Sequence, residues 1–126
     1  MILAQTIQDL KIFLEKKLYC QVTIGEVDLQ ADNYPSVLLI PDGGGEVNER
    51  FGKNAKNLEF TLTIRIICQR NDPLVAIDIL DSLAINERLF KPEMKNELTA
   101  ISTGYTENTY VIDCVYILNN FIRKSV

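Results

Sequence analysis

The stretch "LEFTLTIRIICQR", residues 58 to 70, decides the fold. Apolar side chains occupy its even positions from Leu58 to Cys68, and polar side chains occupy every odd position except Ile67. A period of two is typical of a β-strand with one buried face. The stretch therefore predicts a long strand, and Ile67 indicates that its second face is not wholly polar.

Amphipathic patterns on either side of this strand predict two helices. Residues 2–18 place apolar residues at steps of three and four, with Phe13 beside them: Leu3, Ile7, Leu10, Leu14 and Leu18. After the strand, Asp72 suits a helix N-cap and Pro73 suits the first helical position. The expected core stripe of this second helix is Leu74, Ile77, Leu80 (or Ala84) and Leu83, and Lys91-Pro92 is expected to end it.

Further strands are predicted at residues 19–24 and in "SVLLI", residues 36–40. A closing hairpin is predicted from "ELTAIST", the turn "GYTENT" and "YVIDCVYILNNFI", which together span residues 97–122. The predicted fold is a single α+β domain of order α-β-β-β-α-β-β, with a mostly antiparallel sheet. Both helices are expected to pack on one face of that sheet.

The other face of the sheet is expected to be a contact surface. In the last strand, Val111, Val115 and Ile117 share this face with Asp113 and Asn119, which makes it more apolar than a solvated face. Two helices bury one side of a sheet, so the remaining patch is expected to be covered by another subunit. The alternative is that residues 25–34 or 42–57 fold across it.

Composition excludes several classes of protein. A chain of 126 residues with 47% apolar and 24% charged residues is typical of one globular domain. A net charge of −4 argues against specific nucleic-acid binding, which usually needs a basic face. No apolar run is long enough to span a bilayer, and charged residues interrupt the N-terminal segment where a secretory signal would be apolar. Cytoplasmic synthesis is expected.

No catalytic, metal or cofactor site is predicted. The sequence has no histidine, which removes the commonest base for a Ser or Cys nucleophile. Cys20, Cys68 and Cys114 are far apart and form no CxxC pair, so a zinc site would need all three and a carboxylate. Three small apolar residues in the strands of a reduced protein are the simpler interpretation.

The glycine-rich segment "DGGGEVNERFGKNAKN", residues 42–57, is not a phosphate loop. Val47 stands where such a loop needs its first glycine, and Asn54 stands where it needs Ser or Thr. The segment carries balanced charge and one large apolar residue, Phe51. A connection of this length is usually functional or disordered, so a flexible loop at about 42–57 that binds a partner is predicted.

Residues 18–49 contain six carboxylates and no Lys or Arg. Clustered carboxylates bind divalent cations or act in acid-base catalysis, so a metal-dependent enzyme using Asp28, Asp32 and Asp42 remains an alternative. Solvated loop charge is the simpler explanation, because the order of a calcium loop is missing and no nucleophile is near.

The whole chain resembles the tail-terminator and tail-completion proteins of long-tailed bacteriophages and prophages. The resemblance lies in element order, through "TIQDLKIFLEKKL", "YPSVLLIPDGGG", "LEFTLTIRIICQ", "DPLVAIDILDSLAINERLF" and "ELTAISTGYTENTYVIDCVYIL". It implies a non-enzymatic structural protein that joins tail to head. Such proteins form a ring, often a hexamer, at the head-proximal end of the tail tube.

The resemblance also implies partners and contacts. The partners would be further copies of the chain, the tail tube protein and the head or neck connector proteins, and the location would be the virion tail or neck. In that family an extended loop makes subunit and tube contacts, so the candidates here are Glu46, Glu49, Arg50, Phe51, Lys53 and Lys56. There are two alternatives: another head–tail connector protein, or a small cytoplasmic regulatory or ligand-binding α+β domain.

Overall fold

The computed structural model describes residues 2–18, 20–25, 35–41, 47–48, 55–85 and 94–123. In this part of the chain it has two helices and six strands. In chain order the elements are α1 (Ile2–Leu18), β1 (Gln21–Ile24), β2 (Ser36–Pro41), β3 (Val47–Asn48), β4 (Ala55–Gln69), α2 (Pro73–Ile85), β5 (Met94–Tyr105) and β6 (Thr109–Arg123). The predicted α+β fold and element order are confirmed, with the two-residue β3 as an addition.

The strands form one sheet in the order β1-β2-β4-β6-β5. β3 lies beside β2 on the same edge of β4, because β6 occupies the whole opposite edge. β1 and β2 run parallel, and all the other pairings are antiparallel. The centre of the sheet is the ladder between β4 and β6, which runs without a register shift from Ala55–Arg123 to Gln69–Thr109.

Both helices pack on one face of this sheet, as predicted. The main core joins the even-numbered residues of β4 and β6, from Leu62 to Cys68 and from Tyr110 to Leu118, to one stripe of each helix. The α1 stripe is Ile7, Leu10 and Leu14, and the α2 stripe is Ala76, Ile79 and Leu83. Burying each large aliphatic side chain stabilises the fold by roughly 1.5–3 kcal/mol relative to leaving it in water.

The predicted core stripe of α2 is wrong at its first two positions. Leu74 is 71% exposed and Ile77 is 43% exposed, whereas Ala76 and Leu83 are buried. Most residues in the first two turns of α2 are apolar, so periodicity alone allows more than one stripe. The stripe that contains Ala76 faces the sheet.

The predicted loop at 42–57 contains more strand than expected. Val47 and Asn48 pair with Leu58 and Asn57, and β4 begins at Ala55. β6 continues to Arg123 and supplies partners for the first residues of β4, so pairing extends beyond the apolar alternation that begins at Leu58. Residues 42–46 and 49–54 lie outside the described part of the chain.

Hydrogen bonds outside the strands fix the end of β1 and the β5–β6 turn. Gly25 has a φ of 108°, a conformation that L side chains rarely adopt, and its N–H donates to the Leu39 carbonyl at 2.8 Å. In the β5–β6 turn, the Thr106 N–H donates to the Thr109 carbonyl, and the Thr109 N–H donates to the Thr106 hydroxyl. The closing hairpin is therefore tighter than predicted, with three residues between its strands.

Candidate protein-binding face

The sheet face opposite the helices is here called the helix-free face. It carries the odd-numbered residues of β4 and β6, because the even-numbered ones point into the core. The register places Leu38 and Ile40 of β2 on the same face, opposite Arg65 and Thr63. The face therefore mixes apolar and polar side chains, and on β4 most of them are polar.

Burial on this face decreases from β2 toward β5. Leu38, Ile40 and Ile67 are buried and form a second apolar cluster, against which Val111 packs. Ile67, which the sequence assigned to a face covered by another subunit, is thus part of a core within the single chain. This half of the face is buried within a single chain, so a second subunit is not needed to cover it.

The half formed by β6 and β5 is more open. Val111, Val115 and Ile117 are only partly buried. On this face, the exposed β5 residues opposite the β6 segment 111–115 are small: Ala100, Ser102 and Gly104. A Cβ added at Gly104 would meet no heavy atom within 4 Å. The small β5 residues leave the β6 side chains accessible from the edge of the sheet. The surface formed by Val111, Val115 and Ile117 is here called the apolar shelf, and a surface of this kind suits a protein partner.

An ion pair crosses the middle of the helix-free face. Arg65 and Asp113 are direct cross-strand partners, and their side chains are 29% and 24% exposed. The Arg65 Nε donates to Asp113 Oδ1 at 2.8 Å, and Nη2 donates to Oδ2 at 3.2 Å. This two-point geometry fixes both side chains and places a defined charge pair within the apolar shelf.

The structure brings together three of the residues that the sequence proposed as an interface, namely Val111, Val115 and Ile117 on the helix-free face. Lys56 lies in β4, opposite Ile122, which corrects its predicted place in a flexible loop. Other proposed residues lie outside the described part of the chain and stay predictions: Glu46, Glu49, Arg50, Phe51 and Lys53.

Two features of the site were missed from the sequence. Alternation placed Arg65 and Asp113 on the polar sides of their strands, but it gave no strand register, and register is what pairs them. The small residues Ala100 and Gly104 were treated only as parts of a strand and a turn. Ala100 and Gly104 are four residues apart and so lie on one face of the strand, and this spacing is the signal from which the shelf could have been predicted.

The thiols are poorly suited to nucleophilic chemistry. Burial, with the negative charge of Asp113, raises the pKa of Cys114 to about 11. Burial also raises the pKa of Cys68, whose Sγ donates to the Asp72 carbonyl at 3.1 Å. The pKa of the Cys20 thiol is likewise raised, chiefly by burial. All three thiols are therefore protonated near neutral pH, whereas the thiolate is the reactive form.

The described residues contain no group of three or more Cys, Asp or Glu side chains placed to hold a metal ion. A shallow pocket of about 130 Å³ is lined by Pro35, Cys68, Gln69, Asp72 and Val75. Small-molecule sites usually enclose roughly 300–1,000 Å³, so this pocket is small for a ligand site. The helix-free face is the stronger candidate for function.

No known protein-family model and no curated protein matches this chain. Within the described part of the chain, neither helix combines the length and the apolar character that crossing a membrane requires.

Proposed function

We propose that this protein is a non-enzymatic assembly protein of a long-tailed bacteriophage or prophage, of the tail-terminator or neck type. The observation that carries the proposal is the apolar shelf on the helix-free face, formed by Val111, Val115 and Ile117, with small β5 residues opposite Val111 and Val115. An accessible apolar surface that surrounds an ion pair is suited to binding another protein rather than to chemistry.

The shelf and the ion pair have different tasks in this proposal. Val111 and Val115 contribute affinity, because contact with a partner removes their exposed apolar area from water. Arg65 and Asp113 contribute register, because a partner must place complementary polar groups opposite a charge pair whose geometry is already fixed. The charged residues between 42 and 57 would form a second contact with a partner.

The action of such a protein is steric. A ring bound to the end of the tail tube occupies the surface to which the next tube subunit would add, so tube growth stops. The opposite side of the ring then faces the head or neck proteins. The partner of the helix-free face is then the tail tube protein, and the site of action is the tail or neck of the virion.

The substitution Gly104→Leu tests this proposal. The added side chain occupies open space in the isolated chain, so folding is expected to be preserved, while the shelf is obstructed. Gln21→Leu is the matched control, because Gln21 is exposed on the same face at the opposite edge of the sheet. Stability of each variant is checked by circular dichroism during thermal unfolding.

The readout is the length of tubes formed by the tail tube protein of the same genome, measured by negative-stain electron microscopy. The wild-type chain and Gln21→Leu are expected to cap tubes and shorten them, whereas Gly104→Leu is expected to have no effect on length. Tubes of unchanged length with the wild-type chain would overturn the proposal. Normal capping by Gly104→Leu would overturn the role of the shelf.

A further inference from the structure

The strand β5 forms one edge of the sheet, because the strand order ends there. β6 pairs with one side of β5, and within the described part of the chain no strand pairs with the other side. Residues 98–105 of β5 are all exposed. The main-chain N–H and C=O groups on the unpaired side are therefore open to a partner.

The register fixes which main-chain groups point outward. In an antiparallel pair, residues that exchange hydrogen bonds with the partner strand alternate with residues whose N–H and C=O groups point away from it. The Thr106 N–H donates to the Thr109 carbonyl at 2.9 Å, so these two residues close the hairpin as a bonded pair. The ladder is regular over the preceding five residue pairs, so Ile101, Thr103 and Tyr105 direct their main-chain groups away from β6.

This edge lacks the usual protection against pairing. Exposed edge strands usually carry charged residues, prolines or bulges, which prevent contact with other chains. Residues 98–105 contain no charged residue and no proline, and the register shift lies at their start, between Leu98 and Ala100. The segment from Ala100 to Tyr105 is therefore a regular, uncharged edge that can pair with a further strand.

On the helix side of the sheet, this edge carries apolar side chains that the helices leave open. Ile101 and Tyr105 are 50% and 58% exposed, although their cross-strand partners Cys114 and Tyr110 are buried. The Arg70 guanidinium lies 5.3 Å from the centre of the Tyr105 ring, so the open apolar surface is centred on Ile101. A strand added beside β5 would cover this side chain.

On the helix-free face, small β5 residues separate the edge from the apolar shelf. Gly104 is opposite Val111, and Ala100 is opposite Val115. Neighbouring strands lie about 4.7–4.9 Å apart, so a strand added to β5 would lie about 9–10 Å from β6. A long or aromatic side chain on the added strand can cross Gly104 or Ala100 and contact the valine behind it.

We propose that the β5 edge binds an extended segment of a partner protein, which adds to the sheet as an antiparallel strand. The segment carries long apolar side chains opposite Ala100 and Gly104, and therefore four residues apart. It carries a polar side chain opposite Ser102, whose partner on β6 is the charged Asp113. The inference rests on the proposed function only in naming the tail tube protein as that partner.

A second copy of β5 matches this edge poorly. Two paired β5 strands would place the small residues Ala100, Ser102 and Gly104 of one copy beside those of the other. Val111 and Val115 would then stay uncovered, because no side chain of the added strand is long enough to reach them. A different chain with long apolar side chains at alternate positions is the better match.

The test uses a synthetic peptide that does not depend on the identity of the natural partner. Its sequence is Lys-Thr-Phe-Val-Ser-Val-Phe-Thr-Lys, with both ends capped, so that its phenylalanines lie opposite Gly104 and Ala100. Fluorescence anisotropy of the labelled peptide measures its affinity. Replacing both phenylalanines by alanine is expected to weaken binding at least about tenfold, because the shelf then loses its apolar contacts.

Methylation of main-chain nitrogens tests strand addition itself. The two valine N–H groups of the peptide face β5, so methylating both is expected to weaken binding at least about tenfold. The N–H groups of the serine and of the second phenylalanine face away, so methylating these two is expected to change affinity less than about twofold. Equal binding of the two methylated peptides, or no binding of the unmodified peptide, would overturn the inference.

Thr103→Pro tests the same contact from the side of the protein. It removes an outward N–H that takes no part in the β5–β6 ladder, and edge strands tolerate proline at such positions. Thr103→Val keeps the N–H and is the matched control; thermal unfolding checks that both variants fold. Thr103→Pro is expected to bind the peptide at least about tenfold more weakly than Thr103→Val, and equal binding would contradict the proposed edge. If Thr103→Pro does not fold, the methylated peptides still decide.

The outcomes separate this inference from the proposed function and from a second copy as occupant. Tubes shortened equally by the wild type and Thr103→Pro, with no peptide binding, would reject the edge site and keep the tail-terminator proposal. Peptide binding with unchanged tube length would keep the edge site and reject that proposal. Self-association that Thr103→Pro abolishes, without peptide binding, would assign the edge to a second copy and overturn the inference.

Discussion

Replacing Asp113 by Ala is expected to destabilise the fold, because it removes a carboxylate that accepts two hydrogen bonds from the partly buried guanidinium of Arg65. The two side chains are 29% and 24% exposed and share two hydrogen bonds, so the pair lies between a surface pair and a buried one. Surface pairs contribute about 0–1 kcal/mol, and breaking a fully buried pair costs about 3–5 kcal/mol. The expected cost of Asp113→Ala is about 1–2 kcal/mol.

The net contribution of the pair to stability is expected to be smaller than this cost. Two unit charges about 4 Å apart attract by about 4 kcal/mol at an effective dielectric constant near 20, but desolvation and side-chain ordering oppose most of that gain. We expect a coupling free energy of about 1 kcal/mol between Arg65 and Asp113 in a double-mutant cycle. Arg65→Ala, Asp113→Ala and the double variant complete the cycle.

Urea unfolding followed by circular dichroism measures the four free energies of unfolding. A second cycle on Lys11 and Glu15 is the control, because this pair also has an N–O distance of 2.8 Å but joins residues four positions apart within α1. Its side chains are 35% and 40% exposed, and a helix pair of this spacing contributes about 0.3–0.5 kcal/mol. Equal coupling in both cycles would refute the argument that partial burial strengthens the Arg65–Asp113 pair.

Two further predictions concern the core. Leu14→Ala is expected to lower the free energy of unfolding in urea by about 2–5 kcal/mol because Leu14 is buried. Leu74→Ala is expected to change it by less than about 0.5 kcal/mol because Leu74 is exposed. Similar decreases in the two variants would contradict the assignment of Leu14 to the core and of Leu74 to the surface. The Cys114 thiol keeps its proton to a higher pH when folded, with a pKa raised from 9.0 to about 11, so its stabilising contribution is present below pH 9 and lost as the pH approaches 11. Between pH 8 and 10.5 the free energy of unfolding of the wild type is therefore expected to fall by about 2 kcal/mol more than that of Cys114→Ala. Equal decreases would show that burial of this thiol does not control the loss of stability at alkaline pH.

The long strands and the first helix could be predicted because their sequences allow one interpretation. In β4, apolar residues alternate strictly with polar ones, and in α1 the stripe through Ile7, Leu10 and Leu14 is flanked by charged residues. α2 was harder, since its first half is apolar on several sides. Only the packing against β4 and β6 decides that Ala76, rather than Ile77, faces the core.

The candidate site could be predicted only in part. The apolar character of Val111, Val115 and Ile117 can be read along one strand, and it indicated a contact face. The ion pair and the shelf depend on which residues of other strands lie beside them. Pairings between distant segments, such as Arg65 with Asp113, are set by the whole sheet and leave no local pattern.

The central position of β6 has a consequence for synthesis on the ribosome. β6 is the last strand in the sequence, yet it lies between β4 and β5 in the sheet. Partners in the β4–β6 ladder are far apart in the sequence; Arg65 and Asp113, for example, are 48 positions apart. A nascent chain that has released β4 but not β6 presents a long strand with an open hydrogen-bonding edge. Such contacts between distant segments slow folding and expose that edge to aggregation, so we expect production of this protein to depend on chaperones and on translation rate.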